Sequence, residues 1–513
     1  MIIKGLTRQG EYYDSVSLMI ISNKIIDLDG IADCSVVMGT HENISIMKAA
    51  GLYTDMFDGT DDTDLLISIK TESDEAYEKA LIEIEVLFEN MGKSDDDGGD
   101  YSPKSLENAV KQMPGANLSL ISIAGKYAVA EAWKALRSGL HVMIFSDNIS
   151  IEDENALKTY GLENDLLVMG PDCGTAIING IPLAFANIVN KGNIGIVAAS
   201  GTGLQEVSAI ISNNGAGISQ AIGTGGRDVK KEIAGKMFLR GIDAVNEDEN
   251  TDVIVLVSKP PHADVQKAVA EKIKNFKKPV VSILIGGDAK ILNDAGAISA
   301  GTLEEAALIA VALAKGKKPA VNTSITAEEK AIGDKEIASK QSGQKYLRGL
   351  YSGGTLCDET QLIFKEQVGY VYSNTPLSED FLLADVWTSK ENVILDLGDD
   401  EFTAGRPHPM IDFSLRKKRI IHEASDKETA IILMDVVLGY GANLDPAKEL
   451  VDVIKEAKKL SPGISIIVSI LGTDKDPQNK KLVAEELQKA GAIICSSNAS
   501  AARIAVEIIS KLK

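Results

Sequence analysis

Cysteine is scarce and scattered. The four in 513 residues, Cys34, Cys173, Cys357 and Cys495, share no CxxC spacing, so neither a disulfide framework nor a thiolate metal motif can be read from them. The expectation is a reduced, cytoplasmic protein without a structural metal. Long apolar runs are missing: none reaches the ~18 residues that a membrane-spanning helix needs. The opening MIIKGLTRQGEYYDS lacks the pattern of a secretory leader. Positive charge is in deficit, with 53 Lys and Arg against 74 Asp and Glu and a net charge of −21. So acidic a body repels nucleic acid and anionic membrane, and neither is expected as a partner. It repels anionic substrates as well, so an anion site has to be made locally from backbone N–H groups and a few cations. No GxxxxGK[ST] phosphate loop is present either.

What is there is a globular composition, 44% hydrophobic and 25% charged, with length for about three or four domains. The most informative stretch runs from Gly192 to Arg227, GNIGIVAASGTGLQEVSAIISNNGAGISQAIGTGGR. Ile194 to Ala198 reads as a buried strand. Ser200-Gly201-Thr202-Gly203 breaks it, and Leu204, Val207, Ser208 and Ile211 then share one helical face. Strand, small-residue turn and helix in that order present free N–H groups at a helix N-terminus, where an anion is stabilised. An ordinary capped βα connection is the competing reading.

Residues 1–92 alternate strand-like and helix-like stretches and suit a small ferredoxin-like α+β domain. Within it, Asp58 to Asp64 reads as an acidic turn rather than a cation loop, and His41 as a neighbour of a helix cap. Residues 93–116 read as a linker. From Asn117 the βα pattern of a parallel doubly wound sheet begins, a partial Rossmann-like domain over 117–190 that closes on GPDCGTAIING. Asp172, Cys173, Gly174 and Thr175 there are candidates to line a substrate. Cys173 has no histidine within the motif to activate it, which favours packing or lining over nucleophilic attack. A flavodoxin-like domain follows over 191–317. Its strands end in GTGGRD, SKPPHAD and GGDAK. Arg227, Lys259, Gly225, Gly226 and the turn Ser200, Gly201, Thr202, Gly203 are expected to converge on one anion. The alternative pairs the basic residues with Asp228 or Asp264 at the surface. A linker with a helical part, 318–345, leads to a second flavodoxin-like domain, 346–513. There Gly353, Gly354 and Thr355 open a helix and are candidate lining residues. Gly439, Gly441, Gly472 and Thr473 sit in further strand-to-helix turns and are candidates for phosphate. Asp396, Asp399 and Asp400 form a tentative Mg²⁺ set. His408, fixed between two prolines, is a candidate for acid–base work.

MGPDCGTAIING, GNIGIVAASGTG, GTGGRD and NDAGAISAG resemble, in the same order, the α subunit of succinyl-CoA synthetase. LMDVVLGYGANLDP and SILGTDKDP resemble the last domain of its β subunit. Over nearly its full length the chain resembles the FdrA family of acyl-CoA synthetase-like proteins, on GLHVMIFSDN, AIGTGGRD, VSKPP, YSGGTL and LGDDEFTAGRPHPMID. The resemblance implies an α/β protein: Rossmann-like and flavodoxin-like parallel-sheet domains of the succinyl-CoA synthetase type, behind the N-terminal ferredoxin-like domain. One branch of the family serves as a subunit of a carbamoyltransferase that interconverts oxalurate plus phosphate with oxamate plus carbamoyl phosphate in anaerobic purine-nitrogen use. Implied partners are small anions (phosphate, carbamoyl phosphate or carboxylates), the other subunits of such an oligomeric complex, and carbamate kinase as a pathway neighbour.

The departures from the synthetase matter as much as the matches. Its phosphorylated histidine stands in GHAGA; the aligned stretch here is Asn293-Asp294-Ala295-Gly296-Ala297. The glutamate that orients that histidine aligns with Lys259. No phosphohistidine is therefore expected, and Lys259, Arg227, Asp294 and His408 make up the candidate catalytic set. The Gly-rich loop that contacts CoA has no counterpart before Asn117, and the nucleotide-binding grasp domain is missing. CoA is left open as a cofactor. Three readings stand: a carbamoyltransferase subunit, an acid–CoA ligase, and a non-catalytic anion-binding scaffold.

Overall fold

Among the described residues, short β-branched runs alternating with amphipathic stretches build four sheets. The computed structural model describes residues 1–11, 13–91, 103, 105–319, 324–403 and 406–512. The chain divides into two units, Met1–Ser102 with Leu397–Arg419, and Pro103–Asp396 with Ile420–Lys513.

The first unit opens with β1 (Ile2–Arg8), α1 (Ser15–Ile26), β2 (Ile31–Met38), α2 (His41–Ala49), β3 (Leu65–Thr71) and α3 (Asp74–Met91). The strand order is β1-β3-β2, and β3 runs antiparallel to both neighbours. The outer strands are thus parallel with one strand between them, the split arrangement of ferredoxin-like folds. Asp14 caps α1 by accepting the N–H of Ser17. Leu18, Ile21 and Ile25, spaced three and four apart, then face Leu65, Ile67 and Ile69 of β3 in one core. The acidic turn is knitted internally: Asp64 accepts the N–H groups of Gly10 and Asp61 at 3.1 Å each, and Asp61 accepts from Thr63.

The second unit begins with α4 (Leu106–Gln112), β4 (Leu118–Ile121), α5 (Gly125–Arg137), β5 (His141–Ile144), α6 (Ile151–Glu163) and β6 (Val168–Met169). Its first sheet, β4-β5-β6, is parallel. Residues 93–102 and 104 of the expected linker 93–116 lie outside the described residues, and α4 occupies part of its second half. Next come β7 (Thr175–Ile178), β8 (Ile181–Ala184), β9 (Lys191–Ala199), α7 (Gly201–Asn213), β10 (Ile218–Gly223), α8 (Lys236–Glu247), β11 (Val253–Ser258), α9 (Ala263–Ile273), β12 (Val280–Leu284), α10 (Ala289–Asp294), β13 (Ile298–Ser299) and α11 (Leu303–Ala314). They form a sheet of order β13-β12-β11-β9-β10-β7-β8. Five strands run parallel, and the hairpin β7-β8 adds antiparallel at one edge. The GTAIING segment, expected within the 117–190 domain, therefore belongs to the sheet of the next one. Its strand β7 pairs with β10.

The chain continues through α12 (Ala327–Ser339), β14 (Tyr346–Tyr351), α13 (Gly354–Gln367), β15 (Val393–Asp396), α14 (Asp400–Thr403), α15 (Ser414–Ser425), β16 (Thr429–Val437), α16 (Pro446–Leu460), β17 (Ser465–Leu471), α17 (Lys480–Lys489), β18 (Ile493–Cys495) and α18 (Asn498–Lys511). The five strands are parallel in the order β15-β14-β16-β17-β18. All nine residues of β16 are buried, as expected for a strand covered on both faces. Leu397–Arg419, expected within the 346–513 domain, groups with the first unit instead.

Inside the second unit the two synthetase-like halves are fastened by a polar seam. Asn187 Nδ2 donates to Leu438 O and to Asp476 Oδ2, and the N–H of Ile188 reaches Asp476 Oδ1 at 2.7 Å. Burial raises the pKa of Asp476, and these N–H donors pull against it. A third tie crosses at the other end of α7, where Ser200 Oγ lies 2.6 Å from Thr355 Oγ1.

Candidate active site

Two strand-to-helix turns with the same small-residue chemistry meet at that last tie. In the first half, β9 runs into Ser200, which caps α7 by accepting the N–H of Gly203 at 2.9 Å. In the second half, β14 runs into Ser352, whose N–H and hydroxyl are held by the buried carboxylate of Asp435. Gly353 then opens α13 without any side-chain cap. Among the described residues no acceptor takes the N–H of Gly201, Thr202, Gly354 or Thr355. Both helix N-termini thus direct unspent donors and the positive ends of their dipoles into one corner.

Glycine is required where the turns touch. A Cβ on Gly353 would lie 2.6 Å from Thr202 Cγ2. A Cβ on Gly354 would lie 2.5 Å from Lys259 Nζ and closer still to Asp396 Oδ2. Lys259, which follows β11, is half-buried. Burial works against its ammonium, but Asp396, Asp358 and Asp172 together outweigh that and hold its pKa above the ordinary lysine value. Lys259 is therefore a permanent cation at the junction. Asp396, at the end of β15, is positioned by Asn374: its N–H donates to Asn374 Oδ1, and Asn374 Nδ2 donates back to Asp396 O, each at 3.0 Å. Asp358 sits one turn into α13. Burial raises its carboxyl pKa against the pull of Lys259 and Lys230, which suits it to hold a proton. Asp172 follows the cis Gly170–Pro171 bond at a φ of 52°, with its N–H held by Ser146 O.

The corner thus brings together Ser200, Gly201, Thr202, Gly203, Gly353, Gly354, Thr355 and Lys259, with Asp172 facing them. It does not gather the other candidates. Arg227 is spent in an ion pair with Glu154 at 2.9 Å and a bond to Ile149 O. The expected surface partner Asp228 instead faces the buried Lys158. Asp294 is exposed and paired with Lys290 at 2.5 Å. Gly439 and Gly441 do not open a helix, since α16 starts only at Pro446. The N–H of Gly439 is taken by Gln478, and Gly441 packs on Phe185. Gly472 and Thr473 serve the seam: Thr473 Oγ1 donates to Ile188 O, and Gly472 packs on Leu438. Cys173 is buried with its thiol pushed up to about 12, first by burial, so it is no nucleophile. Thr175 Oγ1 is used on Phe185 O, and Gly174 O accepts the N–H of Phe185. Gly225 packs on Pro171, whereas Gly226 is open. His408, Asp399 and Asp400 belong to the first unit. Burial and then Arg416 hold His408 down to about 4, leaving it neutral. The described residues contain no group of three or more His, Cys, Asp or Glu that could hold a metal ion, so Asp396, Asp399 and Asp400 do not form the proposed Mg²⁺ set.

Asp358 and Asn374 escaped the sequence reading, and the second helix end was sought at Gly439 rather than Gly353. A signal existed. Ser200-Gly201-Thr202 and Ser352-Gly353-Gly354-Thr355 each follow an apolar strand and open a helix, and that repetition marks the two corners as counterparts.

Residues 350–508 match the model of the CoA-ligase family, residues 189–286 that of the CoA binding domain, and residues 1–104 that of the AllF heavy metal-associated domain. The chain is 42% identical over 515 residues to the uncharacterized protein YahF of Escherichia coli (strain K12), covering 100% of this chain and 99% of that one. It is 30% identical over 206 residues to the alpha subunit of the ADP-forming succinate–CoA ligase of Aquifex aeolicus, covering 38% of this chain and 66% of that one. A solved structure of the apo dinucleotide-forming acetyl-coenzyme A synthetase 1 of Ca. Korarchaeum cryptofilum aligns over 82% of this chain and 88% of its own, with a TM-score of 0.34 and 15% identity.

These families imply two ligands, a heavy metal and CoA. For a heavy metal, the sole cysteine of residues 1–104 is Cys34. It is buried, and its thiol is held above its ordinary pKa first by burial and then by Asp33; this does not fit a thiolate site. For CoA, the matched segment 189–286 has its first βα turn at Ser200-Gly201-Thr202-Gly203, and the Cβ position of Gly201 meets nothing nearer than Thr175 Oγ1 at 3.8 Å, which leaves room for a phosphate to approach the backbone. The earlier turn at Gly125 has that side filled by the carbonyls of Asp147 and Asn148. From the end-to-end identity to YahF and the ordered CoA-binding and CoA-ligase segments, the chain belongs to the FdrA-type family of acyl-CoA synthetase-like proteins.

Proposed function

We propose that this chain is the subunit of a carbamoyltransferase that binds phosphate and transfers a carbamoyl group between oxalurate and phosphate in allantoin-nitrogen breakdown. One observation carries the reading: two helix N-termini and a permanent lysine cation share a corner, and among its described residues no histidine stands to carry a phosphoryl group. Phosphate in such a corner has donors from Gly201, Thr202, Gly354 and Thr355 and charge balance from Lys259. A phosphate oxygen attacks the carbamoyl carbon of oxalurate, the C–N bond breaks, and the proton of HPO₄²⁻ ends on the oxamate nitrogen. Asp358 is the group suited to relay that proton, because burial favours its protonated form. Orientation of two anions against their mutual repulsion supplies the rate, with no covalent enzyme intermediate. The AllF model over residues 1–104 supports the allantoin connection.

An acid–CoA ligase is the second reading, favoured by the CoA-ligase match over residues 350–508. Purified complex incubated with oxalurate and phosphate tests the first: carbamoyl phosphate is expected, trapped as citrulline by an added ornithine carbamoyltransferase. Formation of acyl-CoA from CoA and a carboxylate, with no citrulline, overturns it in favour of the second.

A further inference from the structure

At the far end of α7 from the active-site corner, the second unit has a cleft of about 560 Å³. This falls in the size range of small-molecule sites. Its charge is opposite to that of the protein. Lys191 from the start of β9, Lys315 from the end of α11 and Lys475 from the loop after β17 all line it. Among the described residues no Asp or Glu lines it, although the chain as a whole carries −21. Two of the ammonium groups are held by neutral oxygens: Lys475 Nζ donates to Asn190 Oδ1 at 2.6 Å, and Lys315 Nζ to Asn214 O at 2.7 Å. The carboxylates beside the rim are already engaged. Asp252 accepts from Asn193 Nδ2, and Asp474 from the N–H of Lys481. Neither carboxylate is ion-paired to any of the three lysines, so the cleft lining itself carries three positive charges. Behind the cleft the backbone at Gly192 packs against Gly217, and the backbone at Gly217 against Lys191 and Asn190, so closely that a Cβ on either glycine would come within 2.6 Å of it.

We propose that this cleft is a second anion site, for a small molecule bearing at least two negative groups, either phosphates or carboxylates. Lys191 and Lys315 belong to the first synthetase-like half and Lys475 to the second, so the ligand bridges the seam. The helix α7 carries the active-site donors at one end and the cleft residues Gly215 and Ala216 just beyond the other. The site does not depend on which reaction the corner performs.

Equilibrium titration of the full chain with pyrophosphate, and separately with citrate, at low ionic strength tests it. Saturable binding of at least one probe is expected. That binding falls at least tenfold in Lys191→Gln and in Lys475→Gln, and stays unchanged in Lys317→Gln, which alters a lysine outside the cleft. The preferred probe separates phosphate from carboxylate chemistry. Absence of saturable binding of both probes overturns the proposal, and so does binding that vanishes in Lys259→Ala while surviving in the cleft variants.

Discussion

Replacing Lys259 by methionine keeps the stem and removes the cation. A charge-assisted hydrogen bond to phosphate is worth about 1.5–3 kcal/mol, so its loss alone lowers phosphate affinity about 10- to 150-fold. The carboxylates add to this. Lys259 Nζ and Asp396 Oδ2 each lie no more than 2.5 Å from the Cβ position of Gly354, hence at most about 5 Å from one another. At an effective dielectric of about 20, a unit charge pair at that distance interacts by about 3 kcal/mol. Without the ammonium, that carboxylate opposes the incoming anion. The expected result is at least a ~100-fold loss in kcat/KM for phosphate, most of it in binding. The double variant Lys259→Met with Asp396→Asn regains about tenfold of the binding. Stability follows the same charges. Once Lys259 is gone, the carboxyl of Asp358, already raised by burial, is raised further in the folded state, so folding is favoured below the unfolded carboxylate pKa and loses stability as pH climbs. Lys259→Met should therefore lower Tm more at pH 8 than at pH 5. Phosphate titration by calorimetry and Tm by differential scanning at the two pH values check this. Phosphate affinity within threefold of wild type in Lys259→Met refutes the placement of the anion.

Gly353→Ala drives a methyl into the side chain of Thr202 and should part the two turns. We expect a destabilisation of about 1–3 kcal/mol and loss of turnover, with partial recovery when Thr202→Gly is added; full activity in the single variant would contradict the geometry. Glu206 and Glu359 are buried behind the corner, and burial raises each to about 7. Both therefore favour folding most below their ordinary value near 4.5, and that contribution fades as pH rises to 7. Glu206→Gln and Glu359→Gln should flatten the Tm–pH profile between pH 4.5 and 7, and an unchanged slope would exclude these groups as its source. His408 is held down to about 4, so it stabilises fully above its ordinary value near 6.5, and this is lost as pH falls toward 4. Acid unfolding of the His408→Gln variant, followed by circular dichroism, should begin at lower pH than in wild type. Asp476→Ala removes the acceptor of Asn187 and Ile188 and leaves buried donors unpaired, at about 1–3 kcal/mol; urea midpoints would register it.

Much of the architecture was legible in the chain. Ile194 to Ala198 and Ile431 to Met434 are short apolar runs on both faces, which suits a strand covered on both sides. The Ser200 turn announced a helix N-terminus because each residue in it is small or a capper. Lys259 stood out because a lysine occupies a position where the related synthetase has an acid. These are local facts of backbone and side-chain chemistry, and a sequence states them directly.

Which turn faces which was decided only by folding. Gly353, Gly354 and Gly439 carry the same local permission, freedom from a Cβ. The first two spend it on Thr202, Lys259 and Asp396, and Gly439 spends it on Ala186. Arg227 and Lys259 are both basic residues at strand ends, yet one is neutralised by Glu154, some seventy positions away in sequence, and the other is kept charged at the corner by three carboxylates. The hairpin β7-β8 pairs with β10 of the neighbouring sheet, not with β6, the strand that precedes it in sequence. Pairings across such distances depend on how sheets stack and where a charge is left uncancelled, and no window of sequence contains that information.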